Sequence, residues 1–226
     1  MSLRLRALSI AAAVAVVLSV AAPASASLAL PSNARLHGHT LVEWERLFMD
    51  WLLTSNTNPL FTGACGEVID GVYFAPVAVS ADTKIECDVP VGTPILVSPS
   101  GGFSEIPTWG ETDEAVIADV HSVYDTLLSS GVTVNGEEVS LAGAMRDAGV
   151  YDIGPVEEGS FYDLFCEELT PPCVIDFEPG DTIRLATVAE LVILRPLPPG
   201  DYTIVSTAAF DVPGLEFKIT LDLHVG

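Results

Sequence analysis

Lysine is nearly absent: in 226 residues only Lys84 and Lys218 are lysines, and the basic total is nine against thirty-one aspartates and glutamates. Two of those nine, Arg4 and Arg6, lie in the first ten residues. From residue 27 onward the balance is therefore seven basic against thirty-one acidic side chains, a net charge of −24. A surface this negative repels phosphate backbones and anionic headgroups, which excludes nucleic acid as a partner and argues against a membrane surface. No apolar run reaches the ~20 residues that a membrane-spanning helix needs, so no membrane insertion is expected. H-E-x-x-H, G-x-S-x-G, C-x2-C and D-x-D-x-D-G are also missing. Their absence removes the standard signatures of a zinc protease, a serine nucleophile elbow, a zinc ribbon and a calcium loop. The charge then reads as a device for solubility in a salty or alkaline medium. No cofactor or metal is expected, and calcium is the one cation the charge leaves open.

What is present begins with a targeting signal. Arg4 and Arg6 precede an apolar segment over residues 7–22, and Ala24-Ser25-Ala26 supplies small residues at a cleavage point after Ala26. Residues 1–26 are thus expected to be a signal peptide, and residues 27–226 a secreted, soluble single domain. Four cysteines follow, Cys65, Cys87, Cys166 and Cys173. An even count in an exported chain points to disulfides. Three pairings exist; Cys65–Cys87 with Cys166–Cys173 is favoured because each pair brackets a compact loop.

Two helices stand out. Thr40 with Glu43 forms a capping box, and Leu41, Trp44, Phe48 and Trp51 then make one apolar stripe, widened by Leu47 and Leu52. Glu43, Glu45, Arg46 and Asp50 are assigned to the opposite side, Arg46 and Asp50 at ion-pair spacing. Asn58-Pro59 is the expected stop. The stripe holds no polar group able to read a ligand, so its aromatics are expected in the core. A second helix is expected over residues 112–130, and a weak helical turn near SLAGAMRDAG. Most of the remainder is β-rich: GVYFAPVAV, KIECDV and PILVS, then VTVNGEEV with its Asn135-Gly136 hairpin signal. TIRLATV, ELVILRP and GDYTIVSTAAF follow, and GLEFKITLDLHV alternates strictly, as a half-buried antiparallel strand does. The fold class expected is mainly β, an antiparallel β-sandwich of jelly-roll or Ig-like type with two α-helices.

Trp44 and Trp51, Asn58-Pro59, Cys65, GVYFAPVAV, ECDVPVGTPILVSP and RPLPPGDYTI together resemble a family of exported bacterial proteins with no assigned activity. The resemblance covers most of the chain after residue 26, more loosely in the middle, where residues 98–130 and 157–173 depart from the pattern. It implies export, the Cys65–Cys87 pairing and a β-sandwich, and it transfers no catalytic residue.

Candidate chemistry concentrates in the loop expected over residues 98–114. Glu105, Glu111 and Asp113 lie near Phe103 and Trp109, as Glu167 lies near Phe165. A glycosidase needs two carboxyl groups beside a sugar-stacking surface, and acids this numerous meet aromatics by chance. VSPSGGF reads as a flexible turn in preference to a nucleophile loop. His37, His39, His121 and His224 read as solvated in preference to metal ligands. Phe103, Trp109, Phe161 and Tyr162 are candidates for exposed aromatics that stack on sugar rings. Phe161 and Phe165 are set against that as core residues on strand faces, and Trp109 between Pro107 and Gly110 is the one left open. The reading is an exported, non-catalytic binding or cell-surface-associated protein. Its ligand-binding candidates are Trp109, Phe103, Glu105, Glu111 and Asp113, and its partner an extracellular glycan or surface protein. The alternative is an extracellular polysaccharide hydrolase using acids of the 98–114 loop.

Overall fold

The computed structural model describes residues 27–57, 63–77, 82–168 and 177–226. In chain order these form α1 (Leu41–Thr54), β1 (Glu67–Ile69), β2 (Val72–Phe74), β3 (Thr83–Val89), β4 (Ile95–Glu105), α2 (Asp113–Tyr124) and β5 (Leu127–Val134). Then come β6 (Glu137–Glu138), β7 (Met145–Ile153), α3 (Phe161–Glu168), β8 (Ile183–Leu194), β9 (Gly200–Phe210) and β10 (Glu216–Val225). The strands pair into two five-stranded sheets, ordered β1-β2-β4-β8-β7 and β3-β10-β9-β5-β6. The expected β-sandwich is thus present, with a third helix. Two parallel pairings, β2 with β4 and β3 with β10, interrupt the antiparallel pattern.

The alternation of β10 places Ile219, Leu221, Leu223 and Val225 against the first sheet, where they meet Ile95, Val97, Val192 and Leu194. The other face of the first sheet carries α1 and α3. There Trp44, Phe48 and Trp51 pack with Phe74, Leu96, Leu185, Leu191 and Ile193. The aromatic stripe is core, as its composition implied: Trp44 and Phe48 are 0% and 1% exposed. Thr40 and Glu43 make the expected reciprocal capping box. Helix α2 lies on the inter-sheet face beyond the reach of the second sheet, with Val116 and Val120 against Ala186 and Val188.

Cys65 is bonded to Cys87. Cys65 lies two residues before β1, the edge of the first sheet, and Cys87 sits on β3, the edge of the second. The bond therefore closes one side of the sandwich. Gly66 beside it has no room for a side chain, since a Cβ would fall 1.8 Å from the Phe74 carbonyl oxygen. The expected Cys166–Cys173 bond and the Asn58-Pro59 stop lie outside the described residues, as do the side chains of Phe165 and Glu167.

Several local expectations are corrected. The helix expected over 112–130 ends at Tyr124, where the Thr126 hydroxyl donates to the Val123 carbonyl at 2.7 Å. Leu127 then pairs with Phe210 as the start of β5. Of the residues read as a weak helical turn, 141–144 do form a turn, with the Ala144 N–H donating to the Leu141 carbonyl at 2.9 Å. Those from Met145 onward are strand β7, because pairing along β8 overrides the helix propensity of Ala, Met and Arg. TIRLATV and ELVILRP form one strand, not two. VSPSGGF is not a turn: it belongs to β4, with a register shift between Val97 and Ser100. Phe161 is buried, though on a helix and not on a strand face. Arg46 and Asp50 do not pair; Arg46 donates to the Ala148 carbonyl at 2.6 Å, while Asp50 accepts from Gly154 N at 2.8 Å. The Asn135-Gly136 hairpin forms as expected, both residues at positive φ (51° and 80°).

Candidate functional site

Strand β4 is where the sandwich opens. Ser98-Pro99 interrupts its ladder, since proline has no N–H to donate. Ser98 Oγ instead reaches the Glu190 carbonyl at 2.9 Å, and Ser100 Oγ reaches Glu190 Oε2 at 2.7 Å. On its other side β4 meets β2 only through Ile95 and Leu96. From Val97 onward that edge has no strand neighbour among the described residues, and Gly101-Gly102 puts no side chain there.

The space left is a cavity of about 280 Å³. Phe48, Met49 and Leu52 of α1 form one wall, and Phe103 with Phe161 of α3 forms another. The inner face of the second sheet closes it with Ser206 and Phe210 of β9 and Phe217 of β10. Five phenylalanines thus surround a stretch of glycine backbone. Gly101 is exposed and marks the open side.

Next to the cavity, on the helix-covered face of the first sheet, two glutamates are fully enclosed. Glu45 and Glu105 are each 0% exposed. Glu45 lies on α1 one turn before Met49, and its Oε1 accepts from the Thr187 hydroxyl at 2.7 Å. That hydroxyl also lies 3.2 Å from the Tyr151 hydroxyl. Glu105 ends β4 opposite Leu185, and its Oε2 receives the Tyr162 hydroxyl at 3.4 Å. The second oxygen of each carboxyl has no hydrogen-bond partner among the described residues. Burial pushes the Glu45 carboxyl up to about 8, against the Thr187 hydrogen bond and the nearby guanidinium groups of Arg146 and Arg46. Glu105 is raised in the same direction, again chiefly by burial. Glu45 therefore favours its neutral form at neutral pH, and burial moves Glu105 in the same direction, because a carboxylate without full hydrogen bonding is costly inside a protein. Glu45 had been assigned to the exposed side of α1. The helix is buried over a wider arc than its aromatic stripe, with sheet on one flank and α3 on another, and Thr187 supplies the partner that admits a carboxyl.

The five candidate binding residues do not converge. Phe103 lines the cavity and meets Phe161 and Tyr162 edge-on at 5.7 and 6.1 Å. Glu105 lies beneath α3, closed to solvent. Asp113 is held by Arg184 through Nε at 2.8 Å, and Arg184 also reaches Asp152 at 3.2 Å. Glu111 is exposed, and Trp109 is 51% exposed. Phe161 and Tyr162, candidates for exposed stacking, are buried. Among the histidines, His39 packs edge-on against Trp44 at 4.9 Å, while His121 and His224 face Asp147 and Asp201 at 3.0 and 2.7 Å. Ser206, Phe210 and Phe217 were missed as site residues. The signal for Ser206 was a serine in the apolar phase of a strand, between Ile204 and Ala208 in the row that ends at Phe210.

Among the described residues no helix is long and apolar enough to cross a membrane. Compared with family models, curated proteins and solved structures, the chain matches none.

Proposed function

We propose that the chain is an exported, non-catalytic binding protein whose ligand is a small apolar molecule held in the β4-edge cavity. The observation that supports it most is the cavity itself, about 280 Å³ lined by five phenylalanines. Ligand sites are typically apolar concavities of roughly 300–1,000 Å³ with few polar groups, and this one falls just below that range, the size of a small ligand. Export rests on the leader at residues 1–26 and fits a structural disulfide. The test is titration with a neutral fluorophore such as N-phenyl-1-naphthylamine. Saturable enhancement in the parent, lost in Met49→Trp where an indole fills the space, is the expected result. Absence of saturable binding by the parent would sink the reading.

The exposed indole of Trp109 favours a second contact, with an extracellular glycan, because an open aromatic face stacks on sugar rings. Slower migration of the parent than of Trp109→Ala in gels containing polysaccharide is the expected outcome. Equal mobility of the two in every polysaccharide would remove it.

A further inference from the structure

Strand β9 alternates so that Ile204, Ser206, Ala208 and Phe210 face the interior. Ser206 is 4% exposed, and its two cross-strand neighbours, Ile219 and Val132, are both apolar. Its hydroxyl makes no hydrogen bond to any described residue, yet the residue lines the cavity. The other two cavity serines differ, because Ser98 and Ser100 are both committed to Glu190. Among the described residues lining the cavity, Ser206 thus carries the one hydroxyl not committed to a partner. A hydroxyl facing apolar walls is costly unless it is paired, and water or a ligand group entering the cavity is what pairs it.

We infer that Ser206 is the specificity determinant of this cavity, selecting apolar ligands that carry a single neutral hydrogen-bonding group: a phenol, an alcohol or a ketone. The inference rests on the cavity being a ligand site. A charged group is disfavoured, since no cationic side chain among the described residues lines the space and its walls are mostly phenylalanine and aliphatic side chains. A purely hydrocarbon ligand fills the volume and leaves Ser206 unpaired. A ligand with one hydroxyl or carbonyl pairs it, and the difference between the two is the discrimination.

Naphthalene and 2-naphthol, at a pH where the naphthol is neutral, form a matched pair differing by that one group. Their affinities would be measured by intrinsic fluorescence for the parent, Ser206→Ala and Ser206→Cys. The parent is expected to prefer 2-naphthol beyond the preference of Ser206→Ala by about two- to tenfold, the worth of one neutral hydrogen bond. Ser206→Cys, of similar shape with a weak donor, should lose most of the same preference. Ser206→Ala should melt at or above the parent's temperature, since the hydroxyl it removes faces the cavity and pairs with no described residue. If both compounds bind and Ser206→Ala leaves their ratio unchanged, the role of Ser206 is overturned while the cavity reading stands. If neither compound binds the parent, the cavity reading fails and takes the inference with it.

Discussion

Glu45 sits where the energetics are sharpest, because it is a fully enclosed carboxyl with one oxygen unpaired among the described residues. Its surroundings come from three elements: Thr187 on β8, Tyr151, Arg146 and Asp147 on β7, and Arg46 on α1 itself. Tyr151 stays neutral throughout, since burial pushes its hydroxyl well up. The folded-state value near 8 lies above the ordinary 4.5. Below 4.5 both folded and unfolded chains hold the proton, and the contribution to stability is complete. As pH rises toward 8 the unfolded chain ionises first, so stability falls by up to about 1.4 kcal/mol per pH unit. Above 8 the folded chain ionises too, and the loss levels off. Glu105 adds a loss of the same sign. Glu45→Gln keeps the acceptor for Thr187 and removes the charge. Urea melts should find it close to the parent at pH 4.5 and more stable by roughly 4–5 kcal/mol at pH 8.5. A parent whose stability is flat from pH 5 to 8 would show that Glu45 titrates normally.

The elements divide by how local their causes are. Helix α1 was legible because its capping box and aromatic stripe are both written within residues 40–54, and β10 because its alternation is strict. The last third of the expected 112–130 helix, and β7, were not legible. Their strand character comes from pairing with Phe210 and with β8, residues distant in sequence. The cavity was hidden for a related reason. Ser98-Pro99 and Gly101-Gly102 look like a turn, and only the early end of β2 and the arrival of α1 and β9 turn that segment into the wall of an enclosure. The buried carboxyls were hidden because an acid on an amphipathic helix is outward by default. Trp51 provides the test of the element that was read correctly. Its ring packs edge-on against Phe74 at 5.7 Å, and its indole N–H reaches Thr57 and Glu67 at 3.1 and 3.2 Å. Trp51→Ala should cost about 3–5 kcal/mol in a denaturant melt, as large-to-small changes of buried aromatics do. A variant that melts like the parent would mean that α1 does not anchor the outer face of the first sheet.

At the scale of the whole molecule, charge is the unresolved stress. The sequence carries a net charge of −22, and the few cations do little to offset it. Arg35, Arg46, Arg146 and Arg195 donate to the carbonyls of Gly38, Ala148, Gly143 and Ser27, using their charge on backbone. Lys84, Lys218 and Arg184 alone form arginine or lysine ion pairs with carboxylates among the described residues. Those pairs are exposed, and exposed pairs contribute about 0–1 kcal/mol. Most of the thirty-one acids therefore repel one another through water. Basins such as the outer face of β3, β10 and β9 add to this, where Glu86, Asp88, Asp201 and Asp222 share one surface. Screening removes such repulsion without any specific site. The Debye length shrinks from ~10 Å at 0.1 M salt to ~3 Å at 1 M, shorter than the spacing of most surface charges. The melting temperature should accordingly climb steadily as sodium chloride rises through that range, and potassium chloride should match it. Calcium behaves differently under the two explanations of the acidity. If the charge acts as a diffuse field, micromolar calcium at constant ionic strength leaves the melt where it was, and that is the outcome expected here. A shift of several degrees that saturates with calcium would reveal a specific cation site, and the acidity would then be chemistry and not solvation.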